Sequence, residues 1–171
     1  MKVLRAVVSA MAVVIFAACG GPSATGPASS PTPTPSDLAG AERSALGLFL
    51  IDPTAPNHWV ACSNANSWAE CPLSGAVQDR LAALTTSGFF GDAGGCAEEY
   101  ISGTQNGLSS RPQLESAELE ADGSIRVVIK RGASRPNLTA VMSLEGDAWL
   151  ASDLASGTGP AASIFSPKPN C

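Results

Sequence analysis

The stretch SIRVVIKR, residues 124–131, alternates strictly: Ile125, Val127 and Ile129 fall on one face, Arg126, Val128 and Lys130 on the other. Period-two alternation marks a strand with one buried side, because successive side chains leave a pleated backbone in opposite directions. Just upstream, ESAELEA (115–121) alternates Ala117 and Leu119 with Ser116, Glu118 and Glu120. The turn between the two follows from register. A two-residue Asp122-Gly123 loop would set Leu119 opposite Arg126 and Glu120 opposite Ile125, mixing the faces. A three-residue loop, Ala121-Asp122-Gly123, sets Leu119 opposite Ile125, Ala117 opposite Val127 and Glu118 opposite Arg126. It also puts glycine where a left-handed bulge residue is needed. PNLTAVMSL (136–144) and AWLASDL (148–154) read as two further strands joined around Glu145-Gly146-Asp147. The second half therefore predicts a four-stranded antiparallel meander.

The first half reads as helix. Ser36 or Asp37 can cap a helix through LAGAERSALGLFLI (38–51), which places Leu38, Ala41, Ala45, Leu48 and Phe49 on one face. Asp52-Pro53 ends it, since a residue before proline avoids the helical region. A second helix fits SGAVQDRLAALTTSG (74–88), with Ser74 as cap, Val77, Leu81 and Leu84 inward, and Gly88 as stop. HWVACSNANSWAEC (58–71) reads as a polar loop between them, and a short third helix fits residues 95–101. Helices followed by an antiparallel meander define an α+β class.

Helices first, then a meander whose last strand carries Trp149-x-x-x-Asp153, is similar to the cystatin-like cone of the nuclear transport factor and ketosteroid isomerase superfamily. The resemblance covers residues 37–155. It implies a curved sheet wrapped around the helices, with an apolar pocket for which Trp149 and Asp153 are the candidate lining residues. Enzymes of that superfamily hold an Asp, His or Tyr inside the cone for proton transfer, but no residue here aligns onto such a site.

The N-terminus points to a compartment. Lys2 and Arg5 precede an apolar run, Ala6 to Phe16, about half the length of a membrane-spanning helix. The run ends in Phe16-Ala17-Ala18-Cys19, which resembles the lipobox of bacterial lipoproteins, with Phe16 in place of the commoner leucine. The resemblance implies a signal peptide over 1–18 and lipidation of Cys19, whose acyl chains would hold the chain on a membrane. Residues 20–36 contain only Gly, Pro, Ser, Thr and Ala, a tether too poor in apolar bulk to fold. One domain is then expected over 37–171.

Without Lys2 and Arg5 the chain has 8 basic and 15 acidic residues, a formal charge of −7. That balance argues against nucleic acid as a partner. The basic group Arg126, Lys130, Arg131 and Arg135 reads as a solvated strand and loop. Beyond Cys19, an even set of four cysteines in an exported chain reads as two disulfides with three possible pairings, of which Cys62–Cys71, close in sequence, with Cys96–Cys171 is favoured. Their spacing fits no zinc pattern, and His58 is the single histidine.

No catalytic constellation emerges. His58 sits in the polar loop, Glu98-Glu99-Tyr100 are sequence neighbours that do not face one another, and GFFGDAGG (88–95) lacks the lysine of a phosphate loop. Trp59, Trp68 and Trp149 are candidates for core packing or for a pocket wall. The reading is an extracytoplasmic, lipid-anchored binding module without catalytic residues, cofactor or metal, whose partner is an envelope protein or a small apolar ligand. The alternative is a small cone enzyme, an isomerase, dehydratase or hydrolase, with His58 or Asp153 as base.

Overall fold

A computed structural model of the chain describes residues 34–63, 68–86, 100–103, 107–159 and 161–169. Their order is α1 (Pro35–Leu46), β1 (Phe49–Asp52), β2 (Ala55–Ala61), α2 (Gly75–Thr86), β3 (Gln113–Leu119), β4 (Ile125–Lys130), β5 (Leu138–Glu145) and β6 (Ala148–Ser156). The class is α+β. Strands β1 and β2 form a two-stranded antiparallel sheet, and β3-β4-β5-β6 form a four-stranded meander in chain order.

The β3–β4 register is the one that the face argument demands: Leu119 pairs with Ile125, Glu118 with Arg126 and Ala117 with Val127. Gly123 has φ of 89°, a left-handed conformation that residues with a Cβ rarely adopt. The Asp122 carboxylate accepts from the Ser124 backbone N–H (3.0 Å) and hydroxyl (2.7 Å), closing the turn locally. Between β5 and β6 the loop shortens to Gly146-Asp147, with Glu145 paired to Ala148.

Helix α1 departs from expectation at both ends. Its cap is Thr34, with Pro35 in the first turn, where the missing N–H costs nothing. Asp37 reaches back to accept from the Thr34 N–H and hydroxyl, each at 2.7 Å, and those bonds hold its carboxyl below the usual aspartate range. At the other end the helix stops at Leu46 rather than running to Ile51. The Gly47 N–H bonds the carbonyls of Arg43 and Ser44, and the chain turns into β1. Phe49, Leu50 and Ile51 then pair with Ala61, Val60 and Trp59 of β2. The segment expected to be a loop from residue 58 is therefore strand as far as Ala61, with His58 and Trp59 inside it. The β1–β2 turn is closed by Asp52, which accepts from Thr54 N (2.8 Å) and Oγ1 (2.7 Å).

The core is one cluster. Ala41, Ala45 and Leu48 of the α1 region meet Ile125, Val127, Ile129, Leu138, Ala140, Met142, Ala151 and Leu154 from the inner face of the meander. Each fully buried Leu or Ile contributes roughly 1.5–3 kcal/mol of transfer free energy. From the other side α2 adds Val77, Leu81 and Leu84. Its Arg80 donates to the carbonyls of Ile164 (3.0 Å) and Ser166 (2.7 Å), holding the C-terminal segment in place. Residues 100–102 are helical and bring Tyr100 and Ile101, both fully buried, to the far end of the sheet. The remainder of the third expected helix, and the expected stop at Gly88, lie outside the described residues.

Cys62 and Cys71 are bonded, with a Cα–Cα separation of 5.5 Å, and this is the one disulfide among the described residues. Closing so short a loop is worth about 2.7 kcal/mol on the chain-entropy account. Just beyond Cys71, the Pro72 carbonyl accepts from Ala151 N (2.9 Å) and the Ala151 carbonyl accepts from Ser74 N (3.0 Å). On the second half of β6, Ser156 N donates to the Ala162 carbonyl and Ile164 N to the Leu154 carbonyl. Cys19, Cys96 and Cys171 lie outside the described residues.

Candidate functional site

Among the described residues, the inner face of the sheet, where a cone would hold its pocket, packs against buried side chains of α1 and α2. Trp149 turns toward α1 and packs against Gly40, where a Cβ would come within 2.9 Å of the indole. Its backbone carbonyl accepts from the Ser44 hydroxyl. Asp153 belongs to the opposite face. A register shift between Val141 and Met142 lets Ser152 and Asp153 both oppose Val141, while Ala151 and Leu154 remain buried on the inner side. The Asp153 carboxylate accepts from Leu154 N (2.8 Å) and Ser163 Oγ (2.9 Å). Trp149 and Asp153 thus do not share a wall, and neither lines the hollows described below.

Burial lifts the Asp153 carboxyl above its ordinary value, against the two hydrogen bonds and Arg126, which lower it. The folded state therefore holds this proton more tightly than the unfolded chain does. Stability falls as pH rises from the ordinary aspartate value of 3.8 through the folded value, and stays lower above it. Asp153→Asn keeps an acceptor for both donors and removes the charge. Its melting temperature should match or exceed the parent's at neutral pH, with the gap closing toward pH 3.5. A gap that widens on acidification would contradict the assignment.

His58 is half-buried on β2 and lines none of the hollows. Trp59 instead holds a wall of the site. Its N–H and carbonyl pair with those of Leu108 (2.8 and 2.7 Å), and the Arg111 guanidinium lies 5.6 Å above its ring. Gly107 has φ of 72°, and a Cβ there would meet the Trp59 carbonyl at 2.9 Å, so this approach needs glycine. Trp68 is buried in the core.

Three hollows lie at the end of the sheet where β4 leaves, β5 enters and β6 finishes. A hollow of about 800 Å³ is lined by Val128, Arg131, Arg135, Thr139, Gly157 and Thr158, among others. A second, of about 510 Å³, shares Arg135 and Asn137 with it and adds Arg111 and Lys130. A third, of about 220 Å³, adjoins both through Arg135. Among the described residues no Asp or Glu lines any of the three. The nearby Glu115 is engaged, bridging Lys130 at 3.0 Å and accepting from the Asn137 amide.

At the back of this trough is Arg131, and here the expectation of a solvated basic group fails. Arg126, Lys130 and Arg135 are exposed, but Arg131 is 1% exposed. Its Nε donates to the Pro136 carbonyl (2.8 Å), Nη1 to those of Tyr100 (2.8 Å) and Ile101 (3.0 Å), and Nη2 to Ser156 Oγ (2.9 Å). Every partner is neutral, and no carboxylate among the described residues pairs with it. Burial, with Arg135 adding repulsion, pulls the guanidinium down to about 10, so it remains charged at neutral pH. Tyr100 completes the cluster. Its hydroxyl donates to the Ala162 carbonyl and accepts from Ser156 N, and burial raises its pKa. The signal for Arg131 lay in the alternation itself: after Ile125, Val127 and Ile129, the next inward position is 131.

No family model matches the sequence, and no curated protein or solved structure matches it. Among the described residues no cluster of His, Cys, Asp and Glu could hold a metal ion, and no helix is long and apolar enough to cross a membrane.

Proposed function

We propose that the protein is a lipid-anchored binding module facing the extracytoplasmic side of a membrane, without catalysis of its own. The observation that carries this reading is the packing of the sheet's inner face among the described residues. Where a cone enzyme keeps a substrate and its base, this chain packs α1 side chains and Trp149. Recognition then falls to the outer surface, and the hollows there carry basic and polar groups, Arg135, Asn137 and Thr139 among them, beside apolar wall. Two further features support the reading. The Cys62–Cys71 bond suits an oxidising compartment, and Phe16-Ala17-Ala18-Cys19 supplies the site for the anchor. Packing of α1 against all four strands of the meander supports kinship with the cone superfamily.

The reading is tested by expressing the full chain in a bacterial host fed labelled palmitate. The parent should carry label and sediment with membranes. Cys19→Ser should lose the label, since Cys19 is the residue that takes the acyl chains. An unlabelled parent, or a Cys19→Ser variant that still carries full label, would overturn it.

A further inference from the structure

We infer that the trough at the β4–β5–β6 end binds a phosphate group, carried either by a soluble solute or by a lipid headgroup. Taking a cation out of water costs several kcal/mol unless a partner charge offsets it. Among the described residues the partners of buried Arg131 are carbonyls and one hydroxyl, whose dipoles supply part of that compensation. The adjoining hollow offers a place for a negative charge.

The donors in the wall match that role. The exposed Arg135 guanidinium and the hydroxyls of Thr139 and Thr158 make no hydrogen bond among the described residues, and all three line the 800 Å³ hollow. They come from the β4–β5 loop, from β5 and from the loop after β6, and so converge from three directions. A tetrahedral oxyanion presents acceptors to several sides at once, and guanidinium groups bind phosphate through paired, charge-assisted hydrogen bonds. Gly103, with φ of 76°, keeps the space over Arg131 open, since a Cβ there would sit 3.4 Å from the guanidinium carbon. Arg111 and Lys130 extend the positive lining into the second hollow. All this stands in a chain whose basic residues are outnumbered by acidic ones. A cleft lined by one sign of charge concentrates ions of the other.

The inference rests on the binding-module reading, but its test does not depend on the anchor. The full chain in neutral detergent is titrated calorimetrically with inorganic phosphate at low and high salt. Saturable binding near one equivalent is expected, weakened by salt and about tenfold by Arg135→Gln. Arg43→Gln, at an exposed position on α1 outside the hollows, should leave it unchanged. The Cys19→Ser chain is then floated with phosphatidylglycerol and with phosphatidylcholine vesicles. Capture by the former alone, reversed by phosphate, would place the group on a lipid. Phosphate binding without capture would place it on a solute. Absence of saturable phosphate binding and of capture, or equal affinity in Arg135→Gln, would overturn the inference while leaving palmitate labelling untouched.

Discussion

Replacing Arg131 with methionine should lower unfolding stability by about 3 kcal/mol, or about 10 °C in melting temperature for a domain of this size. Two opposing effects set the figure. Methionine spares the cost of burying a charge, which favours the variant. Against that, the carbonyls of Tyr100, Ile101 and Pro136 are backbone groups that no substitution can remove. Those of Tyr100 and Ile101 lose their donor where both residues are fully buried, at about 1–3 kcal/mol apiece when left unmade, whereas the Pro136 carbonyl sits on an exposed loop and can turn to water. The carbonyl losses win. Arg131→Lys should recover less than half, because a point ammonium cannot span acceptors on the 100–102 turn, the β4–β5 loop and the end of β6 together. Urea unfolding reads both through the midpoint. A methionine variant as stable as the parent would mean that the guanidinium is not what ties these segments together.

The second large effect is expected at Leu48. It is fully buried, and its backbone joins the end of α1 to β2 through Leu48 N to the Ala45 carbonyl (3.2 Å) and Cys62 N to the Leu48 carbonyl (2.9 Å). Leu48→Ala removes apolar contacts where helix, hairpin and meander converge, and backbone anchored on both sides cannot collapse into the gap. A loss of about 3–4 kcal/mol is expected, in the upper part of the range for such truncations. Leu50→Ala, two residues on at a position 49% exposed, should cost under about 1 kcal/mol. Comparable losses at the two sites would contradict the burial of Leu48 and the exposure of Leu50.

That pair of residues also shows what the sequence could and could not reveal. The meander was legible down to its turn, because a register slip of one residue mixes two chemically distinct faces, and only one loop length avoids it. Helix α2 was legible for the same reason at period 3.6: Val77, Leu81 and Leu84 are all buried. Residues 47–51 were not. Leu48 and Phe49 continue the helical stripe of α1, and a short apolar run fits helix or strand equally well until a pairing partner is known. The partner, residues 59–61, lay inside a stretch whose asparagines and serines marked it as loop. Element order does not say how much of the interior a helix fills, and here Gly40 lets α1 approach Trp149 closely. Arg131 was missed because its charge was weighed and its phase in the strand was not.

The path of the chain around β6 bears on self-association. A strand at the rim of a sheet offers unpaired N–H and carbonyl groups to any neighbouring copy, the usual start of edge-to-edge aggregation. Here residues 72–74 occupy the rim at Ala151, and residues 162–164 occupy it from Leu154 to Ser156. The first of these covers is held in place by Cys71, whose bond to Cys62 ties it to the small β1–β2 sheet. Reduction of that bond therefore does more than loosen a loop. It frees the segment that keeps the last strand from templating another, so a thiol-rich environment would expose the protein to oligomer growth before it unfolded it.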